Sequence, residues 1–329
     1  MLNPNQKLKE NIFSPDVEQA PTRDGYGKGV LEAGEKDERV VVLCADLAES
    51  TRSHWFAEKF PKRYIELGVA EQNLATVASG LASYGKIPFI ASYATFSPGR
   101  NNEQIRTTIA LNDVPVKVCG MHAGVSVGPD GATHQALEDI ALMRVQPNMI
   151  VVVPCDAEEA RKATYVAAFN DKPTYLRFAR EKTPLITTKD SPFEIGRANV
   201  LWESESPDVA IIACGSIMHN ALMAAEQLAL DKINVMVLNN HTIKPMDMEA
   251  VVDAAKKAGA VVTVEEHQVM GGMGSAVAEV LAQECPVPIE FVGVQNRYGQ
   301  SGEPNELIKE YGIDTNAIIT AVKKVKERK

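Results

Sequence analysis

Glu71 is the residue whose position most directly suggests chemistry, because it is a carboxylate among apolar and small neighbours. The stretch "YIELGVAEQNLATVASGLASYG" opens as a short strand and continues as a predicted helix over 71–84, whose apolar positions recur at helical spacing. An acid in the first turn of a helix complements the exposed N–H groups and the helix dipole. Its position alone leaves a functional role for this acid open.

Two aromatic side chains follow the end of a predicted strand. In "IPFIASYATF", Tyr93 ends the apolar run and Phe96 comes three residues later. Ligands of open α/β sheets bind outside the carboxyl ends of the parallel strands, where these two rings are expected. Both rings are equally compatible with the hydrophobic core, so the residue types alone leave the two interpretations open.

A glycine-rich connection carries three polar side chains that suit a binding site. The segment "MHAGVSVGPDGATHQ" contains His122, Asp130 and His134, and its glycines permit close approach of the backbone to a ligand. Asp130 also suits the turn that "PDG" typically forms, and Thr133 suits the cap of a following helix. Two of the six histidines within thirteen positions favour a site.

Further polar residues stand near the ends of other predicted strands, and could join the same site: Arg23, Asp46, Ser50 and Arg180. A second glycine-rich segment, "GGMGSAVAEV", fits a dinucleotide fingerprint poorly, because Val277 stands where the third glycine of G-x-G-x-x-G is needed. Tight packing of a helix on a strand explains its glycines better. The preceding "EEH" (265–267) is expected at a domain or subunit contact.

The elements that would position these residues alternate between helix and strand along the chain. Apolar strands such as "RVVVLCADL" and "VAIIACGS", separated by amphipathic helices, predict mostly parallel sheets flanked by helices. The alternation breaks in a segment rich in Pro, Ser and Thr between 181 and 207. The fold class is therefore α/β, with two tandem domains over 1–187 and 208–329 and a linker over 188–207.

Charge and cysteine content exclude several classes of protein. A net charge of −9 over 329 residues argues against nucleic acid or an anionic membrane as the main partner. The five cysteines are scattered without a C-x-x-C pair, which argues against a disulfide framework or a zinc site. The N-terminal "MLNPNQKLKE" lacks an apolar signal core, and we expect a cytoplasmic protein.

Four motifs, taken in order, resemble the C-terminal half of transketolase: "GVAEQN", "SYATF", "GPDGATHQALEDIALMRVQPNM" and "VEEHQVMGGMGSA". The resemblance runs through the pyrimidine-binding domain, over roughly 1–187, and the transketolase C-terminal domain, over roughly 195–329. It implies the thiamine-diphosphate-binding fold for the first domain. It also implies an enzyme of carbohydrate metabolism, such as the pentose phosphate pathway, that transfers a two-carbon ketol unit between sugar phosphates.

The resemblance implies that thiamine diphosphate is the cofactor and gives Glu71 a catalytic role. Enzymes of this family place a carboxyl group against the aminopyrimidine ring of the cofactor, and in the motif match that group belongs to Glu71. Burial would favour the protonated carboxyl, which can donate a hydrogen bond to the ring nitrogen. Phe96 matches the aromatic wall against the pyrimidine, Tyr93 matches it less closely, and Asp46 is expected nearby.

The resemblance also implies a site for a sugar phosphate substrate. Four side chains match the groups that hold the phosphate: Arg23, Ser50, His122 and Arg180. Guanidinium, hydroxyl and imidazole donors suit a dianion. Asp130 matches an acid that binds a substrate hydroxyl. His134 matches a catalytic histidine close to the reacting carbons, placed for stabilisation or proton transfer.

One expected part of a transketolase is missing from this sequence. Members of the family hold the diphosphate through Mg²⁺ bound by a separate domain whose signature is GDG, and this chain has no GDG. The resemblance therefore implies one subunit of a split transketolase, without metal ligands of its own. Mg²⁺ would be held by an N-terminal diphosphate-binding partner subunit in an α2β2 heterotetramer.

Three alternatives remain. 1-Deoxyxylulose-5-phosphate synthase shares the Glu, "YSTF"-like and D-G-x-T-H motifs, but it is normally a single chain. The β subunit of a 2-oxo acid dehydrogenase is also a separate pyrimidine-domain chain, although it usually lacks D-G-x-T-H. A non-catalytic scaffold partner would not need Glu71 together with the whole set of substrate residues.

Overall fold

The chain folds into two α/β halves, and the computed structural model describes all residues, Met1–Lys329. The first half has eight strands and seven helices: β1 (Gln19–Pro21), α1 (Thr22–Lys36), β2 (Val40–Cys44), α2 (Ala48–Thr51), α3 (Ser53–Lys59), β3 (Tyr64–Glu66), α4 (Glu71–Ser83), β4 (Ile87–Tyr93), α5 (Asn102–Gln104), β5 (Lys117–Met121), α6 (Asp139–Arg144), β6 (Ile150–Val152), α7 (Ala157–Ala168), β7 (Thr174–Arg177) and β8 (Lys182–Pro184).

The second half has six strands and five helices: β9 (Asn199–Trp202), β10 (Val209–Ala213), α8 (Met218–Leu230), β11 (Val235–Asn239), β12 (Thr242–Lys244), α9 (Met248–Ala258), β13 (Val261–Gln268), α10 (Met273–Glu284), β14 (Ile289–Val294), α11 (Pro304–Glu310) and α12 (Thr315–Lys326). None of the helices is long and apolar enough to cross a membrane.

Each half is built on one main sheet. The first sheet has the strand order β12-β6-β7-β5-β4-β2-β3, and the second has the order β14-β13-β10-β11-β9. All pairings are parallel except those of β12 with β6 and of β9 with β11, at the sheet edges. A separate pair, β1 and β8, is antiparallel. These mostly parallel, helix-flanked sheets confirm the predicted fold class.

Two short strands depart from the domain plan expected from sequence. Strand β12 belongs to the second half but pairs with β6 in the first sheet. Strand β9 lies within the segment 188–207, which we expected to be a linker, and it completes the second sheet. Both strands have only three or four residues. So short a run shows no recognisable alternation, and its pairing depends on partners far away in sequence.

The helix expected directly after Thr133 begins later, at Asp139. Residues 125–130 form a 3-10 segment interrupted by Gly128, whose φ is +82°, and residues up to 138 continue without helix. Thr133 does not cap the helix, because the N-cap residue is Glu138; the Thr133 hydroxyl instead lies 2.9 Å from Nδ1 of the adjacent His134. The glycine-rich connection is consequently longer and more irregular than the sequence suggests.

Glycines set the close packing of α1 on α7. A Cβ at Gly25 would lie 2.1 Å from the carbonyl oxygen of Ala157, and one at Gly29 would lie 2.5 Å from that of Arg161. Both distances are far inside van der Waals contact, so no side chain fits at either position. Because Arg23 stands in the first turn of α1, this packing also fixes the direction from which its side chain reaches the sheet edge.

Gly29→Ala should destabilise the fold by about 2 kcal/mol, because the added methyl forces α1 and α7 apart. Gly80→Ala is the matched control, since a Cβ at that helical position would meet no atom within 4 Å. We expect the control to stabilise the chain by about 0.5–1 kcal/mol through helix propensity. Urea unfolding measures both effects, and equal midpoints for the two variants would contradict the packing argument.

Candidate functional site

The polar residues singled out in sequence gather at one edge of the first sheet, where the carboxyl ends of neighbouring strands meet. Each follows a strand or opens the helix that leaves it: Asp46 and Ser50 after β2, Glu71 after β3, Tyr93 and Phe96 at the end of β4, His122 after β5 and Arg180 after β7. The parallel order of the strands therefore converts residues distant in sequence into one cluster.

His122 and Arg23 form the centre of this cluster. Arg23 Nη1 lies 2.9 Å from His122 Nε2 and donates a hydrogen bond to the carbonyl oxygen of Ser50 at 2.9 Å. The His122 ring stacks on Tyr93 with ring centroids 4.1 Å apart. A φ of +54° turns His122 sharply out of β5 and towards Arg23.

The His122 imidazole is neutral, with one nitrogen available to a ligand. Burial, together with the charges of Arg23 and Arg180, lowers the pKa of His122 to about 3. A guanidinium can only donate, so Nε2 accepts from Arg23 and the proton resides on Nδ1. Nδ1 is buried and has no hydrogen-bond partner in the protein. This N–H is thus a free donor within the cluster.

An aromatic wall extends from Tyr93 to Phe96, and His134 packs against it. The Tyr93 and Phe96 rings are stacked with centroids 5.9 Å apart. The His134 ring meets both edge-on, 5.9 Å from Tyr93 and 5.4 Å from Phe96. The wall therefore offers a flat apolar surface with an imidazole beside it.

Arg180 and Asp130 lie at the outer end of the glycine-rich connection. Arg180 Nη1 donates to the carbonyl oxygen of Val127 at 2.6 Å and lies 3.9 Å from Asp130 Oδ2. The Arg180 and Asp130 side chains are 30% and 37% exposed, so both reach solvent beside the cluster. The bond to Val127 fixes the guanidinium relative to the loop that carries both histidines.

The cationic side chains border a cleft of about 490 Å³. Four cations line it, opposed by three acids: Arg23, Arg52, Arg180 and Lys182, with Asp24, Glu181 and Glu303. The cleft is thus positive on a chain whose net charge is −9, which suits an anionic ligand. Sequence reasoning missed Arg52 and Lys182, since neither stands in a recognisable motif.

Glu71 is buried at the start of α4, with its side chain 1% exposed. One protein group binds its carboxylate: Arg100 Nη1 lies 2.6 Å from Oε2. Asn101 holds the backbone, because its amide donates to the Glu71 carbonyl oxygen at 2.9 Å. Arg100 was also missed, since a single arginine in the turn "SPGR" carries no sequence signal.

Asp46 lies at the same sheet edge, but its side chain takes no part in the contacts of the cluster. Its side chain is exposed and makes no hydrogen bond, while its backbone N–H donates to Glu66 Oε1 at 2.7 Å. A φ of +58° at this position directs the chain away from β2 into the turn before α2.

The second half holds the glycine-rich connection in place. Glu266 Oε1 accepts from the Ser126 N–H at 2.6 Å, and Oε2 accepts from the Ser216 hydroxyl at 3.1 Å. Gln135 donates to the carbonyl oxygen of Gln300 at 2.9 Å. Burial raises the pKa of Glu266. These bonds confirm the expected domain contact for Glu266, whereas Glu265 binds within the second half.

The second glycine-rich segment has the packing role expected of it. Glu265 accepts from the N–H groups of Met273 and Gly274, at 2.7 and 2.9 Å, and so caps α10. A Cβ at Gly274 would lie 2.5 Å from Thr263 Oγ1 on β13. Gly274 is therefore explained by the close approach of α10 to β13, and a phosphate-binding role is not needed to account for it.

Other parts of the chain offer less chemistry. No cluster of three or more His, Cys, Asp or Glu side chains is arranged to hold a metal ion. A larger cleft of about 690 Å³, bordered by Asp247, Glu249 and Lys256, shares no lining residue with the cluster and has no aromatic wall.

Comparison with known families gives two matches along the chain. The family model described as "Transketolase, pyrimidine binding domain" matches residues 18–185, and "Transketolase, C-terminal domain" matches residues 196–318. Together these matches include nearly all the residues of the cluster and of the half that supports it.

Individual relatives agree with these matches. The 6-deoxy-6-sulfo-D-fructose transketolase subunit SqwH of Clostridium sp. (strain MSTE9) is 40% identical over 96% of this chain and 98% of its own. Human transketolase is 37% identical over 92% of this chain but only 48% of its own length. A solved structure titled "Split gene transketolase, inactive beta4 tetramer" is 44% identical, covers 93% of this chain and 98% of its own, and has a TM-score of 0.87.

The His122 ring should remain neutral between about pH 5 and pH 8. Its pKa is depressed relative to the unfolded chain, so protonation favours unfolding only as the pH falls below about 6.5. NMR of ¹⁵N-labelled histidine would follow the ring, with its signals assigned by their loss in His122→Gln. Titration of these signals near pH 6.5 would contradict the proposed hydrogen bond from Arg23.

Glu266→Ala should destabilise the chain by about 1–3 kcal/mol, because it leaves the buried Ser126 N–H without an acceptor. Glu284→Ala, at an exposed position at the end of α10, is the control and should change stability by less than about 0.5 kcal/mol. Denaturant unfolding measures both variants. A loss no greater than that of the control would show that Glu266 does not hold the connection.

Proposed function

The chain belongs to the transketolase family, and from this membership we propose that it is the pyrimidine-side subunit of a split, thiamine-diphosphate-dependent transketolase. It would transfer a two-carbon ketol unit from a ketose phosphate to an aldose phosphate. The observation that carries the proposal is the buried carboxylate of Glu71, whose partner Arg100 also contacts the Phe96 ring, at the same sheet edge as the cationic cleft.

The residues around Glu71 fit the aminopyrimidine ring of the cofactor. Such a ring needs a flat apolar surface and a carboxyl group at its ring nitrogen. Phe96 and Tyr93 offer the surface, and no protein group donates to Glu71 Oε1, which leaves one oxygen for the ring. When bound, thiamine diphosphate supplies the nucleophilic carbon and the electron sink needed to break a ketose C2–C3 bond.

The substrate residues would orient a sugar phosphate in the cleft. Arg23 and Arg180 provide the charge, and the neutral His122 provides an N–H donor for the phosphate. Asp130, whose carboxylate lies 3.9 Å from the cleft residue Arg180, would accept a hydrogen bond from a substrate hydroxyl. His134, beside the aromatic wall, would stabilise or protonate an oxygen near the reacting carbons.

A diphosphate-binding partner subunit completes the proposal. The chain spans about half of human transketolase, and no metal-binding cluster is arranged on it. SqwH is described as a subunit, and the solved relative is the product of a split gene. We place the Mg²⁺ ligands on the partner and the cofactor between the subunits of an α2β2 heterotetramer.

A sulfonated sugar is a second candidate substrate. The relative SqwH is described as acting on 6-deoxy-6-sulfo-D-fructose. A sulfonate and a phosphate are both tetrahedral oxyanions, and the cationic side chains of the cleft suit either. Donor assays should therefore include both classes of sugar.

The proposal is tested by reconstitution with a separately encoded GDG-containing half, thiamine diphosphate and Mg²⁺. We expect ketol transfer only from the mixture, and a loss of at least about a hundredfold in Glu71→Gln, because the acid–base group is removed. Glu249→Gln is the control, since Glu249 also stands in the first turn of a helix but is exposed. Full activity in Glu71→Gln would overturn the catalytic role.

The choice of substrate separates the remaining outcomes. Transfer from xylulose 5-phosphate to ribose 5-phosphate would support a pentose phosphate transketolase, and transfer from 6-deoxy-6-sulfofructose alone would favour the sulfonated class. Absence of a complex with any GDG-containing half would support the scaffold alternative instead.

A further inference from the structure

Arg100 and Glu71 form an ion pair in which one side chain is half-exposed and the other is buried. The two side chains meet at 2.6 Å, yet Glu71 is 1% exposed and Arg100 is 47% exposed. The carboxylate is therefore fixed in the protein, while the guanidinium approaches it from solvent. A pair of this kind can open without unfolding its surroundings, since Arg100 loses little packing when it rotates outwards.

Arg100 also covers the aromatic wall. Its Cζ atom lies 4.7 Å from the centre of the Phe96 ring, within the range of a cation–π contact. The guanidinium thus contacts both the carboxylate of Glu71 and a face of the Phe96 ring. Under the proposed function these are the two features that the aminopyrimidine ring requires.

The backbone beneath Arg100 is fixed, which confines any movement to its side chain. The amide of the buried Asn101 donates to the Glu71 carbonyl oxygen at 2.9 Å and to the Ser97 hydroxyl at 3.1 Å. The Arg100 N–H donates to the Phe96 carbonyl oxygen at 3.0 Å. Departure of the guanidinium therefore leaves the loop and the carboxylate in place.

The charge on the pair opposes the role of Glu71. A guanidinium at 2.6 Å stabilises the ionised carboxylate, whereas donation to a ring nitrogen requires the protonated form. The pair thus stabilises the state of Glu71 that is less suited to receive the ring.

We propose that Arg100 is a displaceable counter-ion that competes with the aminopyrimidine ring for Glu71 and Phe96, so that cofactor binding requires the guanidinium to swing outwards. This inference rests on the proposed function of Glu71. The paired arrangement reduces the fraction of molecules that can bind, and the apparent dissociation constant rises in proportion. Arg100 is therefore a positioning residue that regulates access to the carboxylate.

The test is a titration of the assembled complex with thiamine diphosphate at saturating Mg²⁺, followed by protein fluorescence. Arg100→Gln should bind about tenfold more tightly, because the neutral amide no longer competes as an ion pair for Glu71; a tenfold change in affinity is about 1.4 kcal/mol. The gain should appear in the association rate, measured by stopped flow. Arg100→Lys, which keeps the charge, should stay close to the original protein.

Arg106→Gln is the matched control, because the Arg106 side chain is exposed and makes no ion pair. Arg100→Met serves as a second neutral variant, and thermal unfolding checks that the variants remain folded. Unchanged or weaker binding in both neutral variants would overturn the competition and leave a fixed structural pair. If no complex binds thiamine diphosphate, with or without Arg100, the proposed function fails together with this inference.

Discussion

The buried pair of Asp139 and Arg177 is the interaction on which the rest of the site depends. Arg177 on β7 donates from Nε to Asp139 Oδ2 at 2.7 Å and from Nη2 to the Glu266 carbonyl oxygen at 2.8 Å, and Tyr175 donates to the same carboxylate at 2.6 Å. Burial opposes the charge of Asp139, but Arg177 lowers the pKa of its carboxyl. Removal of either partner would leave a buried charge uncompensated, which costs about 3–5 kcal/mol. Three elements, β7, α6 and β13, are thereby tied together where the two halves meet.

The pair of Asp139 and Arg177 explains why the irregular connection between β5 and α6 can fix the positions of site residues. The residues between β5 and α6 contain little helix, yet one end is fixed by the sheet and the other by Asp139. The second half closes the remaining side, since Glu266 binds the Ser126 N–H and Pro304 packs against Gly128. The C-terminal domain therefore does more than extend the chain. It supplies the rigid wall that gives the glycine-rich loop a single conformation, as preorganised sites require.

Sequence patterns predicted the long elements well and the short ones poorly. The sheet of the first half follows from the alternation of apolar strands with helices, and the match of "GVAEQN" led to a carboxylate that is indeed buried. Strands β9 and β12 were not predicted, because three or four residues show no periodicity and because their pairing depends on distant strands. Arg100 was not predicted as a site residue for a different reason. Its partner lies 29 positions away, and only the folded loop brings the two side chains together.

The four buried glutamates show how a structural carboxylate differs from one available to a ligand. Glu159, Glu265 and Glu266 each accept two hydrogen bonds, and at least one donor in each case is a backbone N–H. Backbone donors in the folded chain are fixed in position, so these carboxylates have a structural role. Glu71 has no backbone donor and only the half-exposed Arg100 as partner. Three buried glutamates are therefore held by at least one backbone donor each, whereas the fourth has only a half-exposed side chain as its donor. This contrast, more than its burial alone, supports the role proposed for Glu71.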